Sequence, residues 1–354
     1  MRVAIDTGSS GGGHGVRGIG VHTNELLRAL EQESKRVKEY KIVIDGVDFT
    51  KTNLSKYDLV HYTVFQPFFL TLPAKKPAKK VVVTIHDLIP LIYPKHYPSG
   101  IKGRFRFFEQ RRRLRNVDAI ITISETSKKD ICRFLKINPD RVHVVHLAPK
   151  EIFKSKVPDS MYRYIESKYK LPKKFVLYVG DINYNKNIPG LIKAAKLSRI
   201  PLVIVGKNAL KIEELTVSNH PEHAHLKEIV NDLGRKDIMR LGFVPDEDLA
   251  VIYKLATLYC QPSFYEGFGL VILEAQASGC PVVATHNQAH VEVGDEACLF
   301  TDSNDFKDLS NKITQMSENS EFRTELVEKG QKNNSKYSWE KTAKGTLDVY
   351  KKVL

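Results

Sequence analysis

The sequence predicts an α/β protein of two doubly wound domains, each a parallel sheet covered by helices on both faces. Three observations lead there. The chain has 354 residues, too many for one compact core and well suited to two. Short runs of β-branched and aliphatic residues alternate with helical spacing along most of its length. The alternation then starts afresh after a stretch carrying Pro149, Pro158 and Pro172.

In the first half the runs are "RVAID" (2–6), "KIVID" (41–45), "DLVHYT" (58–63), "VVVTIHD" (81–87), "DAIITIS" (118–124) and "VHVVH" (142–146). They are apolar nearly throughout rather than at alternate positions, as expected of parallel strands buried on both faces. Between them "VHTNELLRALEQ", residues 101–116 and "ETSKKDICRFLK" carry helical spacing. The second half repeats the scheme with "FVLYVG" (175–180), "PLVIVG" (201–206), "IMRLGFV" (238–244), "LYCQPS" (258–263), "PVVAT" (281–285) and "ACLF" (297–300). Residues 147–173 read as the join, and the chain ends in an amphipathic helix, "WEKTAKGTLDVYKKVL". The expected organisation is an N-terminal domain over 1–160, a C-terminal domain over 171–335, and a closing helix over 336–354 that packs back toward the first domain.

Composition narrows the classes. No apolar stretch approaches the roughly 20 residues of a membrane span, and the start reads straight into a strand, with no secretory signal visible. Cys132, Cys260, Cys280 and Cys298 are scattered without a C-x-x-C pair, which suits a reduced cytoplasmic protein and offers no disulfide or metal framework. Charge is uneven. Residues 1–160 hold 29 Lys/Arg and 16 Asp/Glu, the remainder 26 and 25, so the first half is expected to meet an anionic partner.

Ligands of open parallel sheets bind beyond the C-terminal strand ends, so glycines at strand–helix turns mark the site. "GSSGGGHGVRGIG" contains G-x-G-x-x-G at Gly13, Gly15 and Gly18, yet it follows its strand at too great a distance, and Asp45 lies too far on to be the ribose acid of a dinucleotide site. It reads instead as a loop whose backbone N–H groups approach a phosphate or an acceptor, with Gly18 and Gly20 at the helix entrance. The stronger signal is "FYEGFGLVILEAQASGCPVVAT" (264–285). A helix starting near Gly269 places backbone N–H groups of Phe268, Gly269 and Leu270 as an anion seat between Glu266 and Glu274. A carboxylate set directly after Leu-Val-Ile-Leu is costly unless it accepts from partners such as hydroxyls. Two sugar-holding acids around an anion seat describe a nucleotide-sugar.

E-G-F-G-x-x-x-x-E followed by A-x-x-x-G-x-P-V-V resembles the donor-site signature of the retaining family 4 glycosyltransferases of GT-B fold, in which two Rossmann-like domains face an interdomain cleft. "GIGVHTNELLRAL", "TIHDLIPLIYPKHYP", "ITISETSKKDI", "LYVGDINYNKNIPGLIKA" and "LGFVPDEDLAVIYKLATLYCQPSFYEGFG" extend the resemblance over almost the whole chain. It is closest to the mannosyltransferase-like branch that builds bacterial surface polysaccharide.

The resemblance implies that Glu274 holds the ribose hydroxyls and Glu266 those of the transferred sugar, with backbone from Gly267 through Phe268 and Gly269 to Leu270 on sugar and phosphate. Lys186 would neutralise the diphosphate, with Lys207 assisting. His86 would reach the donor sugar from the other domain, the backbone at Val244 would frame the base, and Gly20 would approach the phosphate. Catalysis is thus expected from His86, Glu266 and Lys186, with Glu266 not a covalent nucleophile. One position departs: the family often places Arg after the "VG" strand, and here stands Asp181.

The expected donor is GDP-mannose or a UDP-sugar, the acceptor a glycan or lipid-linked sugar, with no metal and no cofactor. A sugar-nucleotide epimerase of the same fold, an oxidoreductase and a nucleic-acid binder are the rivals. The last lacks any recognised binding module around its basic half, so no nucleic acid is expected. Between Ile101 and Arg115 seven Lys/Arg and one Glu surround Ile101, Phe105 and Phe108 at helical spacing. This segment either packs on its own domain or leans on an anionic membrane, which would make the protein cytoplasmic and peripheral on the inner face.

Overall fold

The computed structural model describes all residues except 9–17, 38–40 and 219. Gly13 and Gly15 of the glycine-rich loop therefore lie outside the described residues. The chain divides into two compact units, Met1–Ala148 with Tyr337–Leu354, and Pro149–Lys336. The division falls at Ala148/Pro149, earlier than the boundary expected between 160 and 171.

In the first unit the order is β1 (Arg2–Asp6), α1 (Gly18–Arg36), β2 (Val43–Val47), β3 (Leu59–Tyr62), β4 (Lys80–Thr84), α2 (Ile89–Ile92), α3 (Gly100–Arg113), β5 (Ala119–Thr122), α4 (Glu125–Leu135) and β6 (Val142–Val144). The sheet order is β2-β1-β3-β4-β5-β6 and every pairing is parallel. Both faces are buried, as the unbroken apolar runs predict: β3 and β5 have no exposed residue, and Val60, Val81, Val83, Ile120 and Val142 share a core with Leu114, Ile131 and Leu135. The closing helix Trp339–Val353 packs against α1 and belongs to this unit. Its Tyr350 hydroxyl lies 2.6 Å from Nδ1 of His61 in β3, while His61 Nε2 lies 2.7 Å from Thr84 Oγ1. A buried imidazole is thereby satisfied at both nitrogens.

The second unit begins with α5 (Asp159–Tyr169), inside the stretch read from sequence as the join. The helix stays because Lys168 and Tyr169 both donate to Asp248 Oδ2 at 2.6 Å. There follow β7 (Val176–Val179), α6 (Ile188–Ser198), β8 (Leu202–Val205), α7 (Ile212–Thr216), β9 (Ile238–Leu241), α8 (Asp246–Leu255), β10 (Leu258–Gln261), α9 (Leu270–Ala277), β11 (Val282–Thr285), α10 (Gln288–Gly294), β12 (Cys298–Thr301), α11 (Phe306–Glu318) and α12 (Ser320–Asn334). The sheet runs β12-β11-β10-β7-β8-β9, again all parallel. The strand order reverses between β7 and β10, which pair through Leu258↔Val176 and Tyr259↔Leu177. The loops leaving these two strands therefore open a crevice at the C-terminal sheet edge, the usual ligand position of such sheets. No helix among the described residues is long and apolar enough to cross a membrane.

Candidate functional site

The loops after β7 and β10 are tied to each other by two asparagines. Asn185 Nδ2 donates to Tyr265 O at 3.1 Å, and Phe264 N donates to Asn185 O at 2.8 Å. Asn187, held at φ 51°, donates from Nδ2 to Pro262 O at 3.1 Å and Ser303 O at 2.8 Å. Between them stands Lys186, whose ammonium lies 2.7 Å from Glu266 Oε1. The sequence expectation placed these two residues at one diphosphate-sugar, 80 positions apart, and the fold brings them together.

Glu266 is 8% exposed, and its Oε1 also accepts from Gln261 Nε2 at 2.8 Å and Ser263 Oγ at 2.7 Å. Burial pushes this carboxyl upward, but the Lys186 charge, the nearby His290 and the hydrogen bonds from Lys186 and Ser263 outweigh it. The group ends below the usual carboxylate range and is ionised at neutral pH. Gln261 is oriented in turn by the Tyr259 hydroxyl. These supporting residues point inward from the end of β10, and no spacing rule in the sequence marks them.

α9 starts at Leu270 with Gly269 as its N-cap. Gly269 sits at φ 111°, a conformation that favours glycine, and it offers no side chain to cap the first turn. The first turn thus carries no side-chain cap, and the positive end of the helix dipole lies at Gly269. A Cβ at Gly269 would meet His290 Cδ2 at 3.5 Å. His290, fully buried in α10, was not singled out by sequence. Its Nδ1 lies 2.9 Å from Thr285 O, an acceptor only, which puts the proton on Nδ1. Nε2 is buried with no hydrogen-bond partner among the described residues.

Glu274, one turn into α9, is partly exposed and accepts from the Tyr253 hydroxyl at 3.4 Å. Burial and then the Asp246 charge push its carboxyl up to about 8, against the opposing Lys150, which is itself held 2.5 Å from Asp246. The expectation was a Glu274 charged against the hydroxyls of a ligand; without a ligand the group is mostly protonated at pH 7. Val244, expected to frame the base through its backbone, follows β9 and is buried. Lys207 after β8 is exposed. Asp181, at the usual Arg position, is half-buried, and its carbonyl accepts from the Tyr178 hydroxyl.

In the first unit His86 follows β4, and its Nε2 lies 3.0 Å from His22 Nδ1 on α1, with the rings edge to face at 4.6 Å. Burial lowers His86 to about 4 and His22 well below its ordinary value, so both are neutral and one donates to the other. His22 is the second functional candidate that sequence missed. A cavity of about 220 Å³ beside His86 and Asp87 is lined by Ile19, Phe65 and Phe68. Gly20 lies in the first turn of α1 and is buried.

Two all-parallel six-stranded sheets define a doubly wound α/β protein of two units, and the second carries Lys186, Glu266 and the start of α9 at its switch point. The sequence pattern of the Glycosyl transferases group 1 matches residues 165–333 and that of Glycosyltransferase Family 4 matches residues 48–148. The chain is 31% identical over 283 residues to O-antigen chain mannosyltransferase B of Escherichia coli, covering 77% of this chain and 70% of that protein. It is 29% identical to the serotype-specific mannosyltransferase WbdA of Escherichia coli over 81% of this chain, and spans only 35% of that longer protein. Sucrose-phosphate synthase from Thermosynechococcus elongatus superposes over 99% of this chain and 98% of its own, with TM-score 0.69 and 19% identity. HepE of Anabaena, in complex with UDP and glucose, superposes over 99% and 100% with TM-score 0.69 and 15% identity. The chain belongs to the family 4 glycosyltransferases, and its fold is GT-B.

Proposed function

We propose that the protein is a retaining hexosyltransferase that moves a hexose from a nucleotide-diphosphate sugar to a glycan or lipid-linked acceptor in cell-surface polysaccharide synthesis. The observation that carries this reading is the Lys186–Glu266 contact of 2.7 Å beside the uncapped start of α9. It sets a cation and a row of backbone donors where a diphosphate would depart, and a hydroxyl-accepting carboxylate where its sugar would lie. Glycosyl transfer runs through an oxocarbenium-like state as negative charge grows on the leaving group. Fixed donors aimed at that charge are the largest catalytic contribution available here. Lys186 and α9 carry it in this proposal, and no metal is assigned a part.

Glu266 acts as an orienting group rather than a nucleophile. With Oε1 accepting three hydrogen bonds and its basicity lowered, it is a poor attacking base but a firm acceptor for sugar hydroxyls. Glu274 receives the ribose hydroxyls, and backbone around Val244 frames the base. His86, kept neutral and paired with His22, is the residue the first unit offers to the reaction. The named relatives favour mannose as the transferred sugar, hence GDP-mannose, with UDP-sugars the alternative donors that HepE's ligand suggests. A thermal-shift screen of UDP-glucose, UDP-GlcNAc, GDP-mannose and the bare diphosphates in excess EDTA tests the reading. One donor is expected to raise Tm by several degrees, and no shift with any of them, with or without Mg²⁺, contradicts it.

A further inference from the structure

α3 packs on its unit through one face and turns its apolar stripe outward. Gly103, Phe107, Gln110 and Leu114 form the packed face: Gly103 and Gln110 are buried, and Phe107 rests edge-on against Phe68 at 6.3 Å. Gln110 fixes the helix by donating to Thr71 Oγ1 at 2.7 Å and Gln66 O at 3.1 Å while accepting from Leu72 N at 3.3 Å. At 100° per residue, Ile101, Phe105 and Phe108 lie on the opposite side. They are 84%, 78% and 69% exposed. Of the two readings of this segment, packing of the stripe on its own domain is thus not what the structure has.

The stripe is not isolated. Phe69 and Leu70, 57% and 49% exposed, continue the apolar surface, with the Arg106 guanidinium 5.8 Å over the Phe69 ring. A crevice of about 570 Å³ opens beside Ile101 and Arg104, walled by Leu91, Pro94 and Tyr97. Cations flank the stripe on both sides. Arg104 and Arg111 lie along one edge and Lys102 and Arg106 along the other, and among the described residues none of the four is paired with a carboxylate. Arg112 and Arg113 are different: both are held by Glu109 at 2.9 Å, and Arg113 also donates to Leu72 O.

A contiguous exposed patch of large apolar side chains rimmed by cations without carboxylate partners marks an interaction surface. Its chemistry matches an anionic lipid bilayer, which takes aromatic and aliphatic side chains at the headgroup–acyl boundary and attracts the Lys/Arg around them. We infer that α3 and the Phe69–Leu70 loop dock the first unit on an anionic membrane, with Ile101, Phe105 and Phe108 inserted and Lys102, Arg104, Arg106 and Arg111 at the headgroups. This inference rests on the surface alone and stands independently of the donor reading.

The test is co-sedimentation of the full chain with vesicles of equimolar phosphatidylglycerol and phosphatidylcholine, and with vesicles of phosphatidylcholine alone. The wild type is expected to pellet with the mixed vesicles at low salt, to release as salt rises past about 0.15 M, and to stay in solution with the neutral ones. Phe105→Ser with Phe108→Ser is expected to weaken binding at least tenfold without lowering Tm, since both rings are solvent-exposed. Arg104→Gln, Arg106→Gln and Arg111→Gln together are expected to remove the salt-dependent part. A Phe105→Trp variant supplies a direct reading: its emission is expected to shift blue on adding the mixed vesicles. Failure of the wild type to pellet at low salt overturns the inference and leaves the stripe as a face for a protein partner. Serine variants that bind like the wild type, or an unshifted emission from the Phe105→Trp variant, overturn the insertion of α3.

Discussion

Replacing Glu274 by Gln separates the ribose-binding reading from a merely structural one, because the wild-type carboxyl must lose a proton to serve. In the free protein burial holds it up to about 8. Two ribose hydroxyls donating to one carboxylate require the ionised form, so below pH 8 donor binding must expel a proton. About one molecule in a hundred is ionised at pH 6 and half at pH 8, so the donor Kd is expected to tighten roughly 50-fold across that range, about 2.3 kcal/mol. The assay is calorimetric titration with the intact nucleotide-sugar, whose doubly esterified diphosphate takes up no proton in this window. Glu274→Gln is expected to bind more weakly at pH 8 and to show no such slope. Stability supplies the converse reading. A carboxyl raised in the folded state stabilises the folded form below the unfolded value near 4.5, and this is lost as pH rises through about 8. The ligand-free wild type is therefore expected to lose stability between pH 5 and 8 relative to Glu274→Gln. A pH-independent wild-type Kd, or a variant that keeps the wild-type slope, refutes the reasoning.

His22 is expected to matter as the partner of His86. His22→Phe keeps the ring volume and removes the 3.0 Å contact, so kcat is expected to fall by about tenfold while donor Kd, measured by titration, stays within twofold. Adding the His86→Ala change to His22→Phe is expected to cost little beyond His86→Ala alone, since the two act as one unit.

The central strands β3, β5, β8, β10 and β11 were legible because each is a short, mostly apolar run with no exposed residue, a pattern that leaves little room for another reading. Glu266, Glu274 and Gly269 were legible because two acids around a glycine turn break the logic of an apolar segment. What escaped reading depends on distance in sequence or on the side a helix turns inward. His22 and His86 stand 64 positions apart. Gln261 and Ser263 look like ordinary strand-end residues until the β7 loop supplies Lys186. Helical spacing displayed the stripe of Ile101, Phe105 and Phe108, but not that Gln110, a polar residue, anchors the buried side. α5 was hidden among prolines because its stability comes from Asp248, some 80 positions on. The raised carboxyl of Glu274 reflects burial and the Asp246 charge, neither of which local sequence reveals.

In the proposed mechanism Lys186 and Glu266 act on the departing diphosphate and its sugar while Glu274 holds the nucleoside. Steady-state transfer to a mannan oligosaccharide acceptor, measured over a range of donor concentrations for wild type, Lys186→Ala, Glu266→Ala and Glu274→Ala, tests it most directly. For the first two variants kcat is expected to fall by at least about a hundredfold, at near wild-type donor affinity for Glu266→Ala. Glu274→Ala is predicted to raise the donor Kd by more than about tenfold. Wild-type kcat in both Lys186→Ala and Glu266→Ala would contradict the assignment of the site.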